Sequence, residues 1–256
     1  WLNRNSWAAR NWSPIVGAEH LIAREKAAIF DLTSITKIDV QGPNALSFLQ
    51  SISSNQMDQP IGRVTYTTIL NERGGIISDL TVTRLAIDHF MVMTSTRYGY
   101  QDLKWLCDHS SKNKDLLIKD VTNDFGCLCL WGPESRNIIN SISDDDFSNE
   151  SFQYRDARYV KIDNISVLAI RLSYVGELGW ELYVPNQYGH LLWETIWEAA
   201  VPAGLIAAGL GAFTSMRIAK GYRLWGTDIH TEYNPYEAGL KFVVRLNKGD
   251  FIGKDA

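Results

Sequence analysis

Cysteine is scarce in this sequence: three residues, Cys107, Cys127 and Cys129, in a chain of 256. So sparse and odd a set excludes a disulfide framework and fits a reducing compartment. Cys127 and Cys129 alternate with Leu128 and Leu130, the pattern of a strand with both thiols on one face. No His or Cys stands at ligand spacing to complete a metal site there, so they read as buried, inert thiols. His20, His89, His109, His190 and His230 show no paired metal spacing either. An excess of one charge sign is also missing. The 25 basic residues are scattered among 29 acidic ones, for a net charge of -4, which excludes the basic patches expected of a nucleic-acid or anionic-membrane surface. No apolar run reaches the roughly 18 residues that a membrane-spanning helix needs, and there is no signal peptide. G-x-G-x-x-G and P-loop patterns are absent, so neither device binds a nucleotide here. The chain opens on Trp1 and stops at Ala256, and reads as a piece of a longer polypeptide.

What is present is ordinary for a globular chain: 45% hydrophobic and 21% charged residues. That length holds one large domain or two modest ones. Trp1 to Glu25 has weak periodicity. Ala28 to Val40 suits strands, and Gly42-Pro43 opens a short helix over Asn44 to Ser53. Tyr66 to Leu70 and Ile76 to Leu85 flank the turn Asn71-Glu72-Arg73-Gly74-Gly75 as a hairpin. Phe90 to Thr96 and Leu116 to Val121 read as strands, and Tyr98 to His109 as an amphipathic helix. Ala157 to Ile162 and Ile165 to Leu172 form a second hairpin around Asp163-Asn164. Trp180 to Pro185 is a further strand. Tyr188 to Ala200 is a helix with Leu191, Leu192, Ile196 and Trp197 on its apolar side, and another helix runs from about Gly211 to Lys220. Antiparallel hairpins mixed with helices indicate an α+β fold. One sentence recurs at an offset of about 90 residues: a strand, Gly42-Pro43, a helix and Ser51-Ile52-Ser53, then a strand, Gly132-Pro133, a helix and Ser141-Ile142-Ser143. It predicts two related strand–helix units.

Four segments in order carry a resemblance. They are Phe30-Asp31-Leu32-Thr33 with Gly42-Pro43-Asn44-Ala45; Tyr66 to Gly75 with Ser78-Asp79-Leu80; Ser173-Tyr174-Val175-Gly176-Glu177-Leu178-Gly179-Trp180-Glu181-Leu182; and Arg217 to Gly226 with Glu237-Ala238-Gly239-Leu240 and Asp250 to Lys254. Together they resemble the glycine-cleavage T-protein (aminomethyltransferase) family, most of all the C-terminal folate-binding module of dimethylglycine and sarcosine dehydrogenases. The resemblance implies a multi-lobed α+β folate-binding fold with antiparallel sheets and flanking helices. It places two interleaved lobes in residues 1–245 and the start of a C-terminal β-barrel lobe, otherwise missing, in residues 246–256. It also implies tetrahydrofolate as the cofactor, an N-methyl amine or its iminium as the other small molecule, and FAD only in a separate N-terminal flavin domain outside this chain. The compartment would be the mitochondrial matrix in a eukaryote or the cytoplasm in a bacterium.

Residue by residue, Asp79 matches the catalytic aspartate of that family. A carboxylate beside the reacting folate nitrogen takes its proton and stabilises a cationic iminium. Taken alone, Asp79 reads as a strand-end residue capping a turn. Glu181 matches the glutamate that holds the pterin, whose adjacent N–H and NH2 groups suit one carboxylate; alone, it reads as an exposed strand residue. Tyr174 matches a phenol near the reaction centre, and Tyr66 a residue lining the folate pocket. Two positions depart from T-proteins proper: an Arg-Asp pair is replaced by Phe213-Thr214, and a pocket Asn by Ser95. Both point to the dehydrogenase branch and leave the glutamate-tail contact open. Two rivals remain: a tetrahydrofolate-dependent aminomethyl or methyl transferase working without a flavin, and a non-catalytic relative of the pyruvate dehydrogenase phosphatase regulatory subunit. That subunit lacks the glutamate kept here as Glu181.

Overall fold

Pro14 has no N–H to lose at a helix start, and Ser13 before it caps the Val16 amide through its hydroxyl. A helix, α1 (Pro14–Glu25), follows in the computed structural model, which describes residues 13–110 and 115–256. The weak periodicity across Trp1 to Glu25 named no element there, and the structure places a helix over residues 14–25; residues 1–12 lie outside the described ones. The apolar stripe is thin, with Ile15 and Leu21 exposed and Ala23 fully buried, so the cap and Pro14 are the signal and periodicity is not.

The remaining elements run β1 (Ala28–Asp31), β2 (Thr36–Gln41), α2 (Ala45–Ile52), β3 (Val64–Leu70), β4 (Ile76–Ala86), β5 (His89–Thr94), α3 (Gly99–Ser110), β6 (Leu117–Asp120), β7 (Phe125–Trp131), α4 (Ser135–Asn140), β8 (Ala157–Ile162), β9 (Ile165–Ile170), β10 (Gly179–Pro185), α5 (Gly189–Ala200), β11 (Ile206–Ala207) and α6 (Leu210–Ala219). This is the α+β arrangement of antiparallel sheets with flanking helices. On α5, Leu192, Ile196 and Ala200 face the core, while Leu191, expected beside them, is 53% exposed: it falls about 100° off that stripe.

Two compact units emerge among the described residues. The first comprises residues 13–33, 125–154 and 158–222. Its sheet has the order β11-β1-β7-β10-β9-β8, antiparallel at β1–β7, β7–β10 and β10–β9 and parallel at β1–β11. One sheet face buries Ile29, Leu128, Leu130, Trp180, Leu182 and Val184 with α4 and α5 residues such as Ile138, Ile139, Leu192 and Ile196. Alternation sends Phe30, Cys129, Trp131, Glu181 and Tyr183 to the opposite face.

The second unit comprises residues 34–110, 115–124, 155–157 and 223–256. Its antiparallel sheet has the order β3-β4-β5-β2-β6. Leu80, Val82, Val92 and Ile38 pack on Phe48, Leu49 and Ile52 of α2 and Leu106 of α3. A second cluster joins Leu70 and Ile76 to Ile229, Leu240, Val243 and Phe251 of the C-terminal segment.

The repeated sentence occurs once in each unit. Gly42 has φ 132° and Gly132 φ 142°, values L residues rarely adopt. Each accepts the third residue's amide at the helix start, Ala45 N to Gly42 O and Ser135 N to Gly132 O. Matching serines, Ser51 and Ser141, donate to Phe48 O and Ile138 O. At Gly132 a Cβ would overlap the Lys26 carbonyl oxygen and lie 2.5 Å from the Ala27 Cα. Gly132→Ala is expected to lower stability by roughly 2–4 kcal/mol, from strain plus backbone overlap. Urea denaturation checks this, and an unchanged midpoint would show that the turn yields freely.

Candidate functional site

In the second unit, the hairpin β3–β4 pairs Thr68 with Asp79 and Tyr66 with Thr81. Tyr66 and Asp79 are thus diagonal neighbours on one face, within reach of a long side chain. The Tyr66 hydroxyl donates to Asp79 Oδ2 at 2.7 Å. The turn needs nothing from Asp79, because Asn71 Oδ1 accepts the Arg73 and Gly75 amides, both at 2.9 Å. Asp79 keeps some exposure to solvent, yet its carboxyl is enclosed enough that burial pushes its pKa up to about 6, against the Tyr66 hydrogen bond, which lowers it. At neutral pH it is a carboxylate able to take a proton. Phe242, 60% exposed, lies with its ring 6.2 Å from that of Tyr66.

In the first unit, Glu181 sits on β10 between β7 and β9, opposite Cys129 and Ile170. It is 8% exposed. Tyr183, two residues along the same face, donates to Glu181 Oε2 at 2.8 Å. Among the described residues no cation pairs with Glu181. Burial therefore pushes its carboxyl up to about 7, with the Tyr183 bond working in the other direction. Cys127 and Cys129 stand beside this pair on β7, opposite Tyr183 and Glu181, both buried, with sulfurs 3.9 Å apart. Burial holds the Cys129 thiol well above its usual range. Among the described residues, no three His, Cys, Asp or Glu side chains converge as a metal site, and no helix is long and apolar enough to cross a membrane.

Tyr174 belongs to the same unit. Its ring stacks on Phe213 of α6 at 5.2 Å, and Phe213 in turn meets Trp131 at 6.2 Å and Phe30 at 6.4 Å. Phe30 neighbours Cys129, and Cys129 neighbours Glu181, across the sheet. An aromatic array thus continues the face that carries Glu181. The structure brings Tyr66 to Asp79 directly and ties Tyr174 to the Glu181 face through Phe213; the two pairs belong to different units.

Residues 1–248 match the family described as the GCVT N-terminal domain. The chain belongs to this family. It is 35% identical over 252 residues to the aminomethyltransferase of Thermoanaerobacter sp. (strain X514), covering 98% of this chain and 68% of that protein. It is 32% identical over 255 residues to the mitochondrial dimethylglycine dehydrogenase of Homo sapiens, covering 99% of this chain and 29% of that one. Glycine cleavage system aminomethyltransferase T from Bartonella henselae superposes with a TM-score of 0.84 at 27% identity, over 94% of this chain and 65% of that chain. The fold is that of the glycine-cleavage T-protein, and the chain is an aminomethyltransferase-type domain related both to aminomethyltransferases and to dimethylglycine dehydrogenase. It spans about 30% of the length of the dehydrogenase it matches.

Several residues of this aminomethyltransferase-type domain were not singled out from sequence. Tyr183 could have been: it alternates with Glu181 in Trp180-Glu181-Leu182-Tyr183. Arg24 could not, because its partners are about 150 or more residues away. Its guanidinium donates to Val175 O and Glu177 Oε1, both at 2.6 Å, and to Met216 O at 2.9 Å, with Lys220 Nζ 3.7 Å from the same Glu177 oxygen. This pins the loop carrying Tyr174 between α1 and α6. Arg24→Leu removes the donor to the Val175 and Met216 carbonyls and leaves Glu177 to Lys220 alone. It is expected to cost about 2–4 kcal/mol and to speed amide hydrogen exchange in residues 173–178; unchanged exchange there would remove Arg24 from the account.

Proposed function

We propose that this domain binds tetrahydrofolate and accepts a formaldehyde-level carbon onto it, as the folate-binding part of a flavin-dependent N-methyl amine dehydrogenase of the dimethylglycine or sarcosine type. The observation that carries this reading is Glu181: a buried carboxylate with no cation beside it among the described residues, in mid-sheet on a face continued by an aromatic array. Such a group is costly unless a ligand supplies N–H donors. A pterin edge supplies two, so the donor set fits.

On this reading Glu181 accepts the ring N–H and the exocyclic NH2 and fixes the pterin. The Tyr183 hydroxyl holds the carboxylate in place. A flavin in another domain would supply the oxidation of the N-methyl amine to its iminium. Asp79 would take the proton lost by the first folate nitrogen as it captures the iminium carbon and return it to the amine as that C–N bond breaks. The second folate nitrogen would close on the same carbon and release its own proton to water, so that the demethylated amine and 5,10-methylenetetrahydrofolate are the products. Tyr66 orients Asp79 and favours its ionised form. Tyr174, held by its stack on Phe213 and by the pinned loop, offers a phenol to position the nitrogen. Keeping both carbon donor and acceptor in one polypeptide raises their effective concentration.

The two rivals differ in what they need. A transferase without a flavin would take its carbon from an aminomethyl donor, and a regulatory relative would need neither Asp79 nor Glu181. The test is turnover of dimethylglycine or sarcosine by the full-length protein with and without tetrahydrofolate. We expect methylenetetrahydrofolate to appear as free formaldehyde falls. Formaldehyde released in equal yield whether or not folate is present would overturn the proposal.

A further inference from the structure

Behind Asp79 lies a second carboxylate. Ser78 and Asp79 are consecutive in β4 and therefore point to opposite faces. On the Ser78 side, the Ser78 hydroxyl donates to Asp102 Oδ2 of α3 at 2.8 Å, and the Thr94 hydroxyl of β5 donates to the same oxygen. Asp102 is 1% exposed, and its other oxygen, Oδ1, is buried without a hydrogen-bond partner. No cation pairs with it among the described residues. The tether by itself does not call for a carboxylate, since an amide oxygen would accept the same two hydroxyls. A carboxylate, when ionised, adds a field: a buried charge on the Ser78 side of β4, little screened by solvent.

We propose that Asp102 is a positioning residue for Asp79, holding β4 through Ser78 and using its negative charge to raise the proton affinity of the Asp79 carboxyl. The groups acting on Asp79 are few. Enclosure by the protein acts most and raises its pKa; the Tyr66 hydroxyl on β3 and the Asp79 backbone amide favour the charged form; Asp102 on α3, a smaller influence, opposes them. Phe242, beside Tyr66 from the C-terminal segment, brings no charge. Burial likewise raises the Asp102 carboxyl, against the two hydroxyls that favour its ionised form. A base of higher proton affinity takes a proton more readily while staying ionised at neutral pH. The inference rests on reading Asp79 as a proton acceptor, and its test uses no folate, so the two fail separately.

The test is a carboxyl titration of the 256-residue chain with 13C-labelled aspartate, followed by NMR, with Asp79→Asn identifying the Asp79 resonance. In Asp102→Asn, which keeps the acceptor oxygen and removes the charge, the Asp79 midpoint is expected to move down by several tenths of a pH unit. In the parent, the Asp102 resonance is expected to bend at the Asp79 midpoint and to lose that inflection in Asp79→Asn, a result that does not depend on how well Asp102→Asn folds. An Asp79 midpoint unmoved in Asp102→Asn, or no shared inflection in the parent, would reduce Asp102 to a tether and sink the proposal.

Discussion

Glu181→Gln is expected to weaken tetrahydrofolate binding on the order of 100-fold or more and, at pH 8, to make the protein more stable. The first effect follows from chemistry. A carboxylate accepts two N–H donors, each charge-assisted bond contributing about 1.5–3 kcal/mol, whereas an amide accepts one and sets its own NH2 against the pterin NH2. The second follows from burial. The Glu181 carboxyl is pushed from 4.5 up to about 7. Between those values the folded chain keeps a proton that the unfolded chain has released. Stability therefore falls as pH rises from about 4.5 to about 7, and above that range the full cost of the buried charge is present, on the order of 3 kcal/mol. A glutamine side chain there carries no charge and still accepts the Tyr183 hydroxyl, so it escapes that cost: near pH 4.5 the two proteins should match, and by pH 8 the variant should unfold at higher urea. A variant less stable than the parent at pH 8 would mean that the charge is solvated or paired. The same titration predicts that folate affinity in the parent declines as pH drops below about 7, where Glu181 gains a proton.

Asp79→Asn is expected to lower kcat for carbon transfer by about 100- to 10,000-fold, the usual range for removing a positioned general base, with little change in folate affinity. In the parent, the rate should fall on the acid side as pH passes through about 6, where Asp79 becomes protonated. Tyr66→Phe removes the hydroxyl that favours the charged form, so its acid limb should move to higher pH while the plateau survives. The Asp79 and Glu181 titrations separate by readout, since kcat reports groups in the complex and kcat/KM those of the free protein. An acid limb unaffected by Tyr66→Phe would show that the hydrogen bond seen here does not set the Asp79 proton affinity.

Much of the fold was legible because its signals are local. The Asn71 to Gly75 turn, the strand alternation at Cys127 to Trp131 and the doubled Gly-Pro sentence all depend on neighbours within a few residues. The helix at Pro14–Glu25 was also signalled locally, by Ser13-Pro14, but its apolar stripe is too thin for periodicity to register. The chemistry depended on distant partners. Glu181 reads as a solvent-facing strand residue until β7 and β9 are placed on either side of it. Asp79 reads as a turn cap until Asn71 is found doing that work. Asp102 sits in a helix with polar neighbours and gives no sign that Ser78 and Thr94 will enclose it. Sequence motif pointed to Asp79, Glu181, Tyr66 and Tyr174; the environments that tune them come from tertiary structure.

The central claim, that this domain holds reduced folate by Glu181 and reacts it by Asp79, is tested most directly by calorimetric titration of the parent, Glu181→Gln and Asp79→Asn with tetrahydrofolate. The account predicts saturable binding in the parent, near-equal binding in Asp79→Asn and loss of binding in Glu181→Gln. No saturable binding by the parent, in this chain and in the longer polypeptide carrying it, or binding untouched by Glu181→Gln, would contradict it.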